Sequence, residues 1–495
     1  MRETSPDLPR KLREALLAAD FTVDAVRELL GDVADGALLR NETTPALRRT
    51  ARDTGPLATL TRLFLLQTTV SAEAADAALP GLVDRLVAEG VLDRSVSEVA
   101  ARLDVRPYSS DDVDLWVVSD LTPGLDGMAQ RVGADHVLGI SPASTSLAQL
   151  TLRAPVGRAL DLGTGCGVQA LHLATHARSV VATDVNQRAL GITRFNAALN
   201  EVGERVEVRD GSFFEPVRGE RFDLIATNPP FVISPATGER LVYRDSGLPG
   251  DRVVEDIVRA APTHLADGGV CQVLANWVVH RDQPWDERLA GWLDPTCDAL
   301  VVQRETLDPA AYVELWLKDS GHHPATGGDG GEYRRRYDTW LSWLEEQGVE
   351  AIGFGWINLR AAGRAEGTAR HALWEWPYDV EQPIAPAIGD WLAADPEVGP
   401  DDTLTLRVDV VQETVGAAGA EDPESIVLRQ QRGFRRARTA DTVTAGFVGA
   451  CDGDLPVGAI LDALAELLAL DPAALREDQL PVVRELVDEG FLLRR

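Results

Sequence analysis

The chain has 495 residues, 45% hydrophobic and 25% charged, and a formal net charge of −30. That length exceeds what one core organises, so about two to four domains are expected, and the acidic balance argues against tight, unspecific nucleic-acid binding. No window approaches ~18 uninterrupted apolar residues, and MRETSPDLPRKLREALLAAD at the start lacks the apolar core of a signal peptide, so the sequence reads as soluble and cytoplasmic, with no membrane contact.

Cys166, Cys271, Cys297 and Cys451 are far apart, with no CxxC pair and no nearby histidine comb. Neither a zinc site nor a disulfide framework is expected, and no metal. In chain order, the first signal is LVDRLVAEGVLDR at 82–94, a helix, Gly90 and a short strand. VVRELVDEGFLLR at 482–494 repeats it: Val83, Leu86, Val87, Glu89, Gly90, Leu92 and Arg94 recur as Val483, Leu486, Val487, Glu489, Gly490, Leu492 and Arg494. Either each is the last helix and wing strand of a small winged-helix module, or both are instances of a common helix–Gly–strand ending. The expected division is 1–108, helical or winged-helix-like; 109–362, a central catalytic-type domain; and 363–495, an accessory domain ending in a winged-helix-like module.

Residues 158–275 alternate apolar strand candidates with helical stretches, from RALDLG and VQALHLATHA through FDLIATNPP to GGVCQVLANW. That alternation predicts an α/β fold with a doubly wound, Rossmann-like parallel sheet. Beyond it, 299–307 and 351–360 can form an antiparallel pair around the helix RRRYDTWLSWLEEQG, giving an antiparallel last strand. The run TGGDGG at 326–331 lacks GK[ST] and reads as a connector rather than a phosphate loop.

The first strand-to-helix turn, DLGTGCG, holds Asp161, Gly163, Thr164, Gly165 and Gly167. Glycines there permit a tight turn and close approach of a ligand at a helix N-terminus. A dinucleotide fingerprint would place its third Gly at 168, where Val168 stands, so NAD and FAD are disfavoured. Asp184, beside Asn186, closes the second strand, 23 positions after Asp161, where a carboxylate can accept both ribose hydroxyls. Asp210, before Gly211 at the third strand end, is placed to accept from an adenine amine. The fourth strand, DLIAT, runs into Asn228-Pro229-Pro230-Phe231, whose prolines force an exit from the sheet.

Residues 158–235 resemble class I S-adenosylmethionine-dependent methyltransferases of the branch with an [N/D]PP[F/Y/W] signature. That branch includes release-factor glutamine, ribosomal-RNA guanine and adenine-amino DNA methyltransferases. The resemblance implies S-adenosylmethionine as cofactor. The glycine turn (Asp161, Gly163, Thr164, Gly165, Gly167) would hold its methionine part, Asp184 with Asn186 its ribose, and Asp210 with Gly211 its adenine, with Asn228 at the reacting end. Cys166 stands where Ser or Thr is more usual, and Gly211-Ser212 where many members have an apolar pair.

A carboxamide or aromatic amine has a delocalised lone pair, so an acceptor must orient the nitrogen before it can attack a methyl sulfonium. Asn228 Oδ1 and the Pro229 carbonyl can accept its two hydrogens, Pro230 stiffens the loop and Phe231 offers a flat face to a base or amide. Downstream, Tyr243, Arg244 and Asp245 lie in a loop where Tyr243 and Arg244 either grip the substrate or form a surface turn.

The favoured substrate is a macromolecule bearing a planar nitrogen: RNA or DNA through an exocyclic base amine, first a ribosomal-RNA guanine or adenine amine, or a protein through a glutamine amide. Two arginine clusters, Arg40 with Arg48, Arg49 and Arg52, and RQQRGFRRAR at 429–438, could contact phosphates, or be solvated and locally neutralised. A non-catalytic, S-adenosylmethionine-binding DNA regulator is a third reading, against which the intact Asn-Pro-Pro-Phe argues. Ten of the eleven tryptophans lie at or beyond Trp277 and are expected mainly in the core.

Overall fold

The computed structural model describes residues 7–110, 113–127, 133, 135–230, 232–235, 248–326, 328–416 and 424–494. It forms two compact units, Met1–Ala148 with Arg153–Trp376, and Gln149–Leu152 with Pro377–Arg495.

The first unit starts with α1 (Leu8–Ala18), α2 (Val23–Leu38) and α3 (Thr44–Thr50). Leu8, Leu12 and Leu16 recur every fourth residue on α1 and are all buried, the stripe that lets a short helix bind a core. Then come helix Pro56–Leu60, strand Val70–Ser71, helices Ala72–Ala78 and Val83–Ala88, and strands Leu92–Arg94 and Glu98–Ala101. Glu98–Ala101 lies in the middle of that three-stranded sheet, antiparallel to both neighbours.

The second unit rebuilds this arrangement with its chain order changed. Strand Asp452–Pro456, helices Val457–Leu468 and Pro472–Asp488 and strand Leu492–Arg494 follow in the same sequence, but the middle strand, Thr403–Leu406, precedes them all. The repeated sequence makes a repeated cap. Gly90 and Gly490 take φ of +75° and +77°, and Val91 and Phe491 each donate to the carbonyl five residues back, on Leu86 and Leu486, at 2.8 Å. Only glycine enters that left-handed region without steric cost.

The hairpin of β1 (Leu103–Ser110) and β2 (Val113–Asp120) leads through α4 (Pro142–Leu150) into the central sheet. Its strands are β3 (Val156–Leu162), β4 (Ala177–Asp184), β5 (Val206–Asp210), β6 (Phe222–Thr227), β7 (Leu265–His280), β8 (Asp298–Leu307), β9 (Val349–Arg360) and β10 (His371–Glu375). The order across the sheet is β10-β8-β9-β7-β6-β3-β4-β5. β5, β4, β3, β6 and β7 run parallel, and β9 is antiparallel to both β7 and β8. The α/β sheet with its antiparallel strand is therefore the one the sequence predicts, and 299–307 does pair with 351–360. β10 pairs with β8 in parallel, so the sheet runs past 362, where the accessory domain was expected to begin.

Helices α5 (Val168–Leu173), α6 (Gln187–Leu199), α7 (Arg252–Ala260), α8 (Pro309–Asp319) and α9 (Gly330–Glu346) cover the sheet. On α7, Val253, Val254, Ile257 and Val258 are buried, each such side chain contributing about 1.5–3 kcal/mol. The N-terminal helices are not a separate body. Leu12 and Leu16 of α1, Trp116 of β2 and Phe195 and Leu199 of α6 belong to one core, so the expected boundary at 108 falls inside continuous packing.

Candidate active site

Parallel strands deliver their C-terminal ends to one edge, and here that edge borders a cavity of about 540 Å3. Of the expected site residues, Asp161, Gly163, Thr164, Gly165, Asp184, Asn186, Gly211, Asn228, Pro229 and Pro230 all line it. A crevice of this size is usual for a small-molecule ligand.

Gly163, Gly165 and Gly167 all have positive φ (+77°, +57° and +84°), which is why this turn is written in glycine. Gly163 and Thr164 both donate to the Thr183 carbonyl at 2.9 Å, folding the turn back over β4. Gly167 does not line the cavity; a Cβ on it would meet Thr193 Cγ2 at 2.9 Å, so its work is close packing of turn on helix. From beneath, Asn196 Nδ2 donates to the Cys166 carbonyl at 2.7 Å and to the Val118 carbonyl at 2.8 Å.

Asp161 is buried, and its Oδ2 accepts from Thr164 Oγ1 at 2.6 Å and the Ala170 N–H at 2.9 Å. Burial pushes its carboxyl up to about 7, against the lowering effect of those two bonds. Asp184 accepts Gly165 N–H on one oxygen at 2.9 Å and Asn186 N–H on the other at 2.8 Å. Burial raises it too, with the backbone bonds opposing. Each Asp184 oxygen keeps acceptor capacity for a diol hydroxyl. Asp210 pairs with Asp184 in the strand register but its side chain is exposed and outside the cavity lining, where Gly211, Ser212 and Phe213 stand instead.

At the end of β6 the Asn228 Oδ1 is buried and finds no hydrogen-bond partner among the described residues; the same holds for Thr183 Oγ1 and Gln169 Oε1, on two other lining residues. A buried acceptor left unpaired costs about 1–3 kcal/mol, so three on one cavity wall mark a place for a donor-bearing ligand. After the prolines the chain is held by two long-range bonds. Ile233 N–H donates to Tyr312 Oη of α8 at 2.8 Å, and Trp340 Nε1 of α9 donates to the Ile233 carbonyl at 2.8 Å. Phe231, Tyr243, Arg244 and Asp245 lie outside the described residues.

Residues 139–290, which hold this cavity's glycine turn, its acids and the Asn-Pro-Pro segment, match the family model described as "Methyltransferase small domain". This stretch is similar to a methyltransferase small domain. Two further family models, each described as a domain of unknown function, match 18–102 and 388–494. The ribosomal protein uL3 glutamine methyltransferase of Bradyrhizobium diazoefficiens is 35% identical over 150 residues, 28% of this chain and 47% of the relative. The release factor glutamine methyltransferase of Synechocystis is 36% identical over 123 residues, 22% and 41%. The ribosomal RNA small subunit methyltransferase C of Alcanivorax borkumensis is 30% identical over 150 residues, 30% and 39%. The chain thus spans less than half the length of each of these relatives.

S-adenosylmethionine fits the residues of this site. The cavity offers an acidic floor to a cationic group, free acceptor capacity on Asp184 for ribose hydroxyls and a glycine turn open to close approach. Among the described residues no cluster of three or more His, Cys, Asp or Glu is placed to hold a metal, and no helix is long and apolar enough to cross a membrane.

Several wall residues carry no sequence signal of the kind used above: His136, Val137, Leu138, Ser141, Ser144 and Gln169. Gln169 is one, its Nε2 donating to the Ser144 carbonyl at 2.7 Å, which joins α5 to α4 across the turn. The 429–438 arginines follow the second of the two readings left open for them. Arg429 pairs with Glu413, Arg432 with Glu381, and Arg438 with Glu485 and Glu489. Three of the five arginines of this stretch are thus neutralised, and Phe434 is buried, so it offers no stacking platform. The large tryptophans are core, as expected: Trp277 and Trp340 are fully buried.

Proposed function

We propose that the chain methylates a planar amino or amide nitrogen of a macromolecule, first an exocyclic amine of a nucleic-acid base, using S-adenosylmethionine in the cytoplasm. One observation carries this reading: Asn228 Oδ1, buried and unpartnered among the described residues, sits on the wall shared with Asp161 and Asp184. S-adenosylmethionine, when bound, supplies an electrophilic methyl. Asp184 would hold its ribose, the glycine turn its amino-acid end, and Asp161 would sit beneath its positive charge.

Asn228 Oδ1 accepts one hydrogen of the substrate amine and the Pro229 carbonyl the other, which rotates the nitrogen lone pair toward the cavity. Held this way, the lone pair would face the methyl that the cofactor supplies, and the surplus proton left on nitrogen after methylation would pass to solvent. No strong base is required, because an alkylated amide or arylamine is acidic. Phe231, Tyr243 and Arg244 are the proposed substrate contacts, and 1–108 and 363–495 the flanking modules that present the macromolecule.

A glutamine amide is the second reading. It is favoured by the two relatives named glutamine methyltransferases and by the self-paired arginines at 429–438. Both substrates present the same geometry to Asn228. Labelled methyl transfer into a cell extract, split into ribosomal RNA, tRNA, DNA and protein, decides between them. Label in one fraction, lost with Asn228→Ala, is expected; label in none, despite cofactor binding, would overturn the enzymatic reading.

A further inference from the structure

We infer that the face formed by α3 and its flanking turns is a docking surface for the phosphodiester backbone of a nucleic acid. The inference rests on the reading of the chain as a macromolecular methyltransferase and supplies the substrate class.

The arginines elsewhere that the repeated modules would turn toward a nucleic acid are consumed internally. Arg94, on the wing strand of the first module, bridges Asp76 and Asp84, both at 3.0 Å. Its counterpart Arg494 reaches Asp395 and Asp402, and Arg429, Arg432 and Arg438 pair with acids as described. Around α3 the opposite holds. Between 40 and 62 stand Arg40, Arg48, Arg49, Arg52 and Arg62 against only Glu42 and Asp53. None of these five arginines has a carboxylate partner among the described residues.

Three of them are held by backbone instead. Arg49 Nε donates to the Leu29 carbonyl at 3.1 Å, Arg62 to the Thr50 carbonyl at 2.5 Å, and Arg40 to the Gly36 carbonyl at 2.7 Å. Asp53 is turned onto the Gly55 N–H at 2.8 Å. Arg40, Arg48, Arg49 and Arg52 are all exposed. A guanidinium keeps its charge at any physiological pH and presents a planar fork that matches phosphate oxygens. On a chain of net charge −30, a stretch where arginines outnumber acids is where a polyanion would be received, which orients its approach.

The start of α3 is fixed from outside the helix: Thr43 N–H donates to Asp126 Oδ1 at 2.7 Å and Asp126 N–H to the Asn41 carbonyl at 2.8 Å.

The test uses full-length protein and fluorescence anisotropy against single-stranded RNA, DNA of the same sequence and poly-L-glutamate. Each single-strand phosphate contact contributes about 0.7 to the slope of log affinity against log salt. Arg40→Gln/Arg48→Gln/Arg52→Gln should lower that slope by about 2, so that between about 50 and 200 mM salt wild type loses about 20-fold more affinity than the variant. Arg429→Gln/Arg432→Gln/Arg438→Gln should leave the slope unchanged, and the stronger of RNA and DNA names the source of the phosphates. Equal slopes for wild type and the first variant, or no nucleic-acid binding by wild type, would overturn the inference. Preference for poly-L-glutamate would overturn it in favour of an acidic protein. Calorimetric S-adenosylmethionine binding on the same samples separates the two claims. Intact cofactor binding with an unaltered slope sinks the surface alone, whereas a lowered slope with neither cofactor binding nor methyl transfer sinks the methyltransferase reading and leaves the surface standing.

Discussion

Asn228→Ala separates catalysis from folding more cleanly than any other change in the cavity. Because Oδ1 has no partner among the described residues, truncation breaks no protein hydrogen bond and strands no donor. Stability should therefore stay within about 0.5 kcal/mol of wild type, the usual range for substitutions that remove no buried contact. Turnover behaves differently. A hydrogen bond to a group gaining charge contributes about 1.5–3 kcal/mol, and each 1.36 kcal/mol is tenfold in rate. The expected loss in kcat is thus about 10- to 150-fold, with cofactor affinity unchanged, since the acceptor serves the nucleophile. Asn228→Asp keeps an oxygen acceptor and should retain more activity than Asn228→Ala. Single-turnover transfer of labelled methyl, with calorimetric cofactor binding and thermal melts on the same samples, measures all three. Full turnover by Asn228→Ala would refute the orienting role; a fall in melting temperature matching the lost activity would refute the claim that the side chain is structurally idle.

Asp184→Ala removes acceptor capacity for two ribose hydroxyls and should weaken S-adenosylmethionine binding about 100-fold, read by calorimetry; unchanged affinity would remove Asp184 from the cofactor site. Asp161, raised from 3.8 unfolded to about 7 folded, keeps a proton in the folded chain that the unfolded chain releases across that window. Its contribution to stability should therefore fall as pH rises from about 4 to about 7 and level off above, a slope that Asp161→Asn should abolish in denaturant titrations. A cationic cofactor favours the ionised carboxylate, so its affinity should rise between about pH 6 and 8 in wild type and less in Asp161→Asn. Gly167→Ala puts a Cβ at φ +84° and 2.9 Å from Thr193 Cγ2, which should cost about 1–3 kcal/mol; adding Thr193→Ser, which removes that methyl, should recover part of the loss.

What the sequence made legible is what local backbone physics dictates. Glycines at 163, 165 and 167 announce a positive-φ turn, and acids at the ends of apolar runs fall on the carboxyl edge of a parallel sheet. Asn228 and two prolines at such an end mark where the chain leaves the ladder. What stayed hidden depends on partners far along the chain. The acids that neutralise Arg429, Arg432 and Arg438 come from Glu413, Glu381, Glu485 and Glu489, up to 51 positions away, so an arginine run reads as basic when its fold makes it neutral. The alternation of Trp374 and Trp376 reads as a strand, but that β10 belongs to the central sheet escaped, because HALWE gains its place there only by pairing with β8. The cavity wall at 136–144 has no periodicity at all, being loop and short helix fixed by contacts to α5 and β2.

Asn196 and Asn200 show how the N-terminal helices bear on the site. One helical turn apart, on α6 and at its C-cap, they face β2 and replace the strand it lacks on that side. Asn196 accepts from Val118 N–H and donates to its carbonyl, both at 2.8 Å, and Asn200 does the same for Trp116 at 2.9 and 2.8 Å. Trp116 in turn donates its indole N–H to the Phe21 carbonyl at 2.7 Å, between α1 and α2. Since Asn196 also holds the Cys166 carbonyl of the glycine turn, one buried carboxamide joins that turn to the hairpin and, through Trp116, to the N-terminal helices. The N-terminal helices and the glycine turn are therefore joined by a continuous chain of buried hydrogen bonds, so substitutions at Asn196 or Asn200 should disturb both.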